Sequence, residues 1–200
     1  MRVYIISDRR LRPDLGLDQL IDTMAGAGAD MMQIREKDLP AAAVLSCAQR
    51  AVGSGTGAQL FINARADVAL AAGAAGVHLP AAGVGPADVK RLWGARLKIG
   101  VSTHSRREAL EAMDGGADFI TFGPVFETDS KRQFGPPLGV GLVEEVVRAV
   151  TLPVFAIGGI NRRTVPELKG LPIAGIAVIS AVLQAADPAA AVAELRGALR

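Results

Sequence analysis

The chain has 200 residues, one domain's length and enough to bury a core, and with half its residues hydrophobic and 21% charged it is not a disordered polypeptide. A net charge of +2 with no basic run gives no argument for nucleic-acid binding, and the single cysteine, Cys47, excludes an internal disulfide framework and fits a reducing compartment. No apolar stretch reaches the ~20 residues that span a bilayer, and the first strand starts too early to leave room for a signal peptide, so a cytoplasmic protein without membrane or nucleic-acid partners is expected.

Eight short apolar runs read as strands: Val3–Ser7, Met31–Arg35, Gln59–Asn63, Gly76–Leu79, Lys98–Ser102, Phe119–Phe122, Val154–Ile157 and Gly175–Ile179. Helical patterns fill the gaps: Leu17–Ala27, Pro40–Val52, Arg65–Ala72, Pro86–Trp93, Arg106–Asp114, Leu142–Val150, Arg163–Leu168 and Pro188–Leu199. Strand followed by helix, eight times, predicts an α/β fold: a single (β/α)8 TIM barrel over residues 1–200, short against the ~250 residues typical of that architecture. With aromatics at 4% and alanine and valine abundant, the expected core is one of small side chains. The segment Gly123–Gly139 is long for so economical a chain, and such loops are usually functional. Ala27-Gly28-Ala29-Asp30 and Gly115-Gly116-Ala117-Asp118 echo one another, an echo read as turn chemistry in which glycine ends a helix.

The polar residues cluster where strands end, which is where such a barrel builds its active site. In Gln33-Ile34-Arg35-Glu36-Lys37, alternation puts Gln33, Arg35 and Lys37 on the side facing the barrel axis, and two cations beside an amide suit a di-anion; a solvated loop with a Glu36 salt bridge is the competing reading. Asn63 either orients a ligand ring or caps the next helix. His78 and His104, the two histidines, are candidate acid–base groups or hydrogen-bonded structural residues, and Ser102 points inward beside His104. Gly158-Gly159 after the seventh strand and Ile179-Ser180 after the eighth match the place where barrels often hold a phosphate on backbone N–H groups.

These motifs, with Gly76-Val77-His78-Leu79, Ile99-Gly100-Val101-Ser102-Thr103-His104, Gly116-Ala117-Asp118, Phe122-Gly123-Pro124-Val125-Phe126, Thr128 to Lys131 and Ser180-Ala181, resemble the thiamine phosphate synthase/TenI superfamily from about Val3 to the last helix. The resemblance implies a (β/α)8 barrel acting on the thiazole phosphate half of thiamine. Synthases join it to hydroxymethylpyrimidine diphosphate with Mg²⁺ and release pyrophosphate, whereas TenI-type tautomerases shift a proton to aromatise a thiazole phosphate carboxylate. By position, Gln33, Arg35, Lys37, Asn63 and Lys131 would line the pyrimidine diphosphate side. Ser102 would sit near the reacting centre, Thr128 and Ser130 would touch the thiazole, and Gly159 and Ser180 would hold its phosphate.

The sequence departs from the synthase pattern in two places. Ala64 stands where synthases carry an aspartate after the strand-three asparagine, and Pro80-Ala81-Ala82-Gly83 replaces a Gly-Gln-x-Asp stretch. Those aspartates hold Mg²⁺, so a TenI-type isomerase with no resident metal or cofactor is the expected activity, with little or no synthase turnover. Its base would be His104, then Glu36, then His78. A thiamine phosphate synthase using Mg²⁺, with Asp67 helping to hold it, is the alternative, and a non-catalytic binder of a phosphorylated ligand or regulator is a third. The partner is a small thiazole phosphate, and a homo-oligomer is left open.

Overall fold

The alternation of side chains along each strand decides this architecture. The computed structural model describes residues 1–128 and 136–199. Eight parallel strands form a closed barrel in chain order: β1 (Arg2–Ile6), β2 (Met31–Ile34), β3 (Gln59–Asn63), β4 (Gly76–Leu79), β5 (Lys98–Thr103), β6 (Phe119–Phe122), β7 (Val154–Ile157) and β8 (Gly175–Val178). Closure is made by β8 on β1, with Ile176 beside Val3 and Val178 beside Ile5. The α-helices are α1 (Leu17–Gly26), α2 (Ala41–Gly53), α3 (Ala66–Ala72), α4 (Pro86–Trp93), α5 (Arg106–Asp114) and α6 (Gly139–Ala149) between strands, with α7 (Ser180–Leu183) and α8 (Pro188–Ala198) after β8.

Outward strand residues such as Val3, Ile5, Met32, Ile34, Leu60 and Ile62 pack against buried Leu20, Ile21, Met24, Val44 and Val68 of the helices. This shell is the small aliphatic core that the composition predicts. The barrel interior differs from it. Tyr4, Phe61, Phe119 and Phe155 meet edge-on inside it, the closest ring centroids lying 5.1 Å apart. Glycines on neighbouring strands make room for them. A Cβ on Gly76, Gly100 or Gly175 would stand 2.8, 2.3 or 2.7 Å from the Phe61, Phe119 or Phe155 ring. Few aromatics are present, and four of them fill one layer, each fully buried ring stabilising the fold by ~1.5–3 kcal/mol. Above this layer, toward the strand C-termini, the buried side chains turn polar: Gln33, His78 and Thr121.

Some boundaries differ from expectation. The seventh helix is a single 3-10 turn, Val165–Leu168, with Pro166 near its start and Gly170 in a left-handed turn just beyond. The short α7 after β8 and a 3-10 turn at Arg9–Leu11, capped by Asp8, are both too brief to show a period. The internal echo is turn chemistry with an added role. Gly28 and Gly116 take left-handed φ values of 83° and 81°. The following Asp30 and Asp118 each accept a strand's backbone N–H at 2.7 Å, from Val3 and Ile99.

Candidate active site

The C-terminal ends of the strands bring most of the predicted polar residues to one mouth. On its first side, Gln33 of β2 donates from Nε2 to Asn63 Oδ1 of β3 at 3.2 Å. Asn63 is therefore engaged across the barrel wall. The residue capping α3 is Arg65, and its side chain makes no cap bond. Arg35 is half-buried and Lys37 exposed, and neither side chain has an ion-pair or hydrogen-bond partner among the described residues. Arg35 stands close enough to His78 and Asp8 to act on their charge states. A cavity of about 320 Å³ opens beside Asn63, between Ile34, Lys37, Ile62, Arg65 and Pro80.

Glu36 alternates to the other side of β2's continuation. Its buried carboxylate accepts from Ser7 Oγ at 2.6 Å and from the Arg9 backbone N–H at 3.3 Å. The Ser7 hydroxyl in turn accepts from Arg35 N–H at 2.9 Å. Burial raises the Glu36 carboxyl above its ordinary range against the opposing hydrogen bonds. This cluster ties the loop after β1 to the loop after β2 and so holds the Arg35 backbone in place.

His78 is buried beneath the mouth, not open to it. Its Nδ1 lies 3.2 Å from Tyr4 Oη, and its Nε2 lies 3.1 Å from Ser102 Oγ and 3.4 Å from Thr121 Oγ1. Burial, with Arg35 adding repulsion, pushes its pKa down to about 3. Half-buried Ser102 is the layer above it. His104 follows two residues later. Its Nδ1 meets the Gly123 carbonyl at 2.5 Å, and since a carbonyl only accepts, Nδ1 is the donor.

On the far side, Gly158 and Gly159 have φ values of 100° and 67°. A Cβ on Gly159 would fall 2.4 Å from the Glu127 carbonyl oxygen, and one on Gly158 2.5 Å from Pro124 Cα. The pair therefore lets the loop after β6 lie directly on the loop after β7, where Phe126 N–H donates to Gly158 O at 3.0 Å. Asn161 Nδ2 and Thr164 Oγ1 hold the Gly159 carbonyl at 3.0 and 2.8 Å. Ile179 precedes α7, and exposed Ser180 opens it. The N–H groups of Gly159 and Ser180 have no protein partner among the described residues. Thr128 is half-buried in the loop after β6. Ser130 and Lys131 lie outside the described residues, as does the middle of the Gly123–Gly139 segment.

The described residues do not fit a protein-borne Mg²⁺ site. Ala64 and Gly83 stand at the positions where the resemblance places aspartates, and Asp67 is gripped by Arg65 at 2.9 and 2.6 Å. Among the described residues, no group of three His, Cys, Asp or Glu side chains could hold a metal ion. Ala64 keeps the left-handed backbone of that turn, φ 60°, without the short polar side chain that eases it.

Sequence reasoning missed Ser7, Asp8, Arg9, Tyr4 and Thr121. Strand parity was the available signal for Tyr4 and Thr121, since each lies two or four residues along from an inward position. Nothing local marks Ser7 and Arg9, whose partner Glu36 is a strand and a helix away.

A family model described as thiamine monophosphate synthase matches residues 3–182. A putative thiamine-phosphate synthase of Geobacter sulfurreducens is 42% identical over 188 residues, 93% of this chain and 88% of its own length. A thiamine-phosphate synthase of Anaeromyxobacter dehalogenans is 44% identical over 174 residues, 86% of this chain and 78% of its own. Among solved structures, a thiamine phosphate pyrophosphorylase from Pyrococcus furiosus superposes with a TM-score of 0.88 at 34% identity, covering 99% of this chain and 95% of that one. A 3-hexulose-6-phosphate synthase at 20% identity, TM-score 0.76, shares the fold. These relatives correct the expected activity. They carry the name of a transferase, so the TenI-type isomerase reading does not stand, and with it goes the need for His104 or Glu36 as a tautomerase base. The closed eight-stranded barrel and its relatives together show that the chain belongs to the thiamine monophosphate synthase family, within the thiamine phosphate synthase/TenI superfamily.

Proposed function

We propose that this protein is a thiamine phosphate synthase, joining a thiazole phosphate to hydroxymethylpyrimidine diphosphate with release of pyrophosphate. The observation that carries the reading is the presence of two separate sets of unengaged donors at one mouth, which we assign as two anion-binding poles. Arg35 and Lys37 are cations without a partner among the described residues, beside the Gln33–Asn63 amide pair, and across the barrel lie the backbone N–H groups of Gly159 and Ser180. Two phosphorylated substrates need two such poles. In the proposed reaction the thiazole ring nitrogen uses its lone pair to form a C–N bond to the pyrimidine methylene carbon. The bond from that carbon to the diphosphate oxygen breaks, and pyrophosphate carries away the electron pair. No proton has to be removed, so a free base is not required, and Glu36 serves as the anchor of the Arg35 loop.

Arg35 forks onto the diphosphate and Lys37 adds a point charge, so the protein's stabilisation of the leaving group comes from cations. Lys131 is assigned to the same pole and Thr128 and Ser130 to the thiazole by family position. Ser102 faces the reacting centre, and His78 supports it from below. His104 has its Nδ1 proton committed to the Gly123 carbonyl and helps hold the ends of β5 and β6 together.

The departures at Ala64 and Gly83 favour one second reading, binding of phosphorylated ligands without turnover. Mixing the protein with both substrates, with and without Mg²⁺, separates the two. Thiamine phosphate detected by mass spectrometry supports the synthase, and unchanged substrates under both conditions overturn it.

A further inference from the structure

We propose that Tyr4 is a positioning residue that acts through His78, fixing the imidazole as the Nε2–H tautomer so that the Ser102 hydroxyl must donate its proton into the mouth. Tyr4 is fully buried, and among the described residues the only hydrogen-bond partner of its hydroxyl is His78 Nδ1, at 3.2 Å. A phenol has one proton to place. If Nδ1–H donated to Tyr4, that phenolic proton would be buried without an acceptor, a desolvation cost that native structures avoid. Tyr4 therefore donates and Nδ1 accepts.

A neutral imidazole has a single N–H, and burial with Arg35 nearby keeps His78 neutral. The proton is then on Nε2, which donates to Ser102 Oγ at 3.1 Å, with Thr121 Oγ1 at 3.4 Å as a weaker second acceptor. Ser102 accepts from below and has its own O–H left to give. It stands on the inward face of β5, half-buried, and the space it faces is the mouth. The chain Tyr4, His78, Ser102 thus turns an ambivalent hydroxyl into a fixed donor for an acceptor atom of the bound substrate. Without the phenol, nothing holds Nδ1 bare. An Nδ1–H tautomer would let Ser102 turn its proton down onto Nε2, and the mouth would lose the donor.

The tautomer can be read without any activity, by NMR of protein labelled with 15N-histidine. The wild type is expected to show His78 with a bare Nδ1 and a protonated Nε2. Tyr4→Phe is expected to show a mixed or reversed tautomer. Its effect on turnover rests on the synthase reading: kcat should fall about tenfold, the loss of one well-placed hydrogen bond, with KM within about twofold. Where Tyr4→Phe does not fold, the wild-type tautomer and two His78 variants decide. His78→Gln sets an amide N–H where Nε2 stands and should retain most of kcat. His78→Asn sets its amide where Nδ1 stands and should lose about tenfold. An Nδ1–H tautomer in the wild type, an unshifted tautomer and kcat in Tyr4→Phe, or equal losses in the two His78 variants would overturn the proposal. A wild type that makes no thiamine phosphate overturns the synthase reading alone, and the tautomer comparison still stands.

Discussion

The two sides of the barrel mouth are built from different materials. On the side of β1–β3 the groups proposed to meet the anion are long side chains, Arg35 and Lys37, on backbone pinned by Ser7, Glu36 and Arg9. On the side of β6–β8 they are backbone N–H groups exposed by two left-handed glycines and by the start of a four-residue helix. The first side separates stability from function, because a cation without a partner among the described residues can be removed without unfolding anything. The second side cannot separate them. The conformation that presents Gly159 N–H also lets the loop after β6 pack on the loop after β7.

Arg35→Ala is the sharpest way to test that separation. It should lower kcat/KM for thiamine phosphate formation by about 10²–10³-fold, as for loss of one charge-stabilising donor. Its unfolding free energy should stay within about 0.5 kcal/mol of wild type. Steady-state kinetics and urea denaturation check the two halves.

Gly159→Val should do the reverse and strike stability first. Its Cβ would meet the Glu127 carbonyl at 2.4 Å, on a backbone with φ 67° that a branched residue does not adopt. A loss of about 2–4 kcal/mol in thermal or urea unfolding is expected. A stable Gly159→Val protein with wild-type unfolding would break the comparison.

Glu36→Gln probes the pinned loop. Because burial raises the Glu36 pKa in the folded state, the folded protein binds this proton more tightly than the unfolded chain does. The stability it contributes is therefore present at low pH and is lost as pH rises from the ordinary carboxyl value of 4.5 through the raised one. The Gln variant should flatten that part of the stability–pH curve and change stability at neutral pH by less than about 1 kcal/mol. A slope identical to wild type would show that Glu36 does not titrate in that window.

Ala64→Gly carries the smallest effect. Relief of the left-handed strain at φ 60° should exceed the added chain entropy and raise stability by about 0.5–1 kcal/mol. A destabilised variant would mean that the methyl group contributes packing that outweighs the strain.

How far the sequence carried depends on the range of the signal. All eight strands were legible because a strand buried on both faces writes a short apolar run flanked by turn residues. Alternation alone puts Gln33, Arg35 and Lys37 on one face, and Ser102 reads as inward from its place at the end of the fifth strand. The interior aromatic layer was not legible, since Phe61, Phe119 and Phe155 are far apart in the chain and a composition counts rings without locating them. The partners of Glu36 were hidden for the same reason, as 27 residues separate it from Arg9. His78 stays open in sequence between an acid–base group and a hydrogen-bonded structural residue, because a strand-terminal histidine looks the same whether its ring faces solvent or Tyr4. Ala64 and Gly83 point away from a synthase, whereas the relatives that match most of the chain are named as synthases.

The central claim is that two phosphorylated substrates are joined at this mouth. Its most direct test measures pyrophosphate and thiamine phosphate together, by a coupled phosphate assay and mass spectrometry, in one reaction with both substrates and Mg²⁺. The account predicts that the two products appear at equal rates in the wild type, and that both rates fall together in Arg35→Ala. Neither product from a folded protein that binds both substrates, or pyrophosphate released without thiamine phosphate, would contradict it.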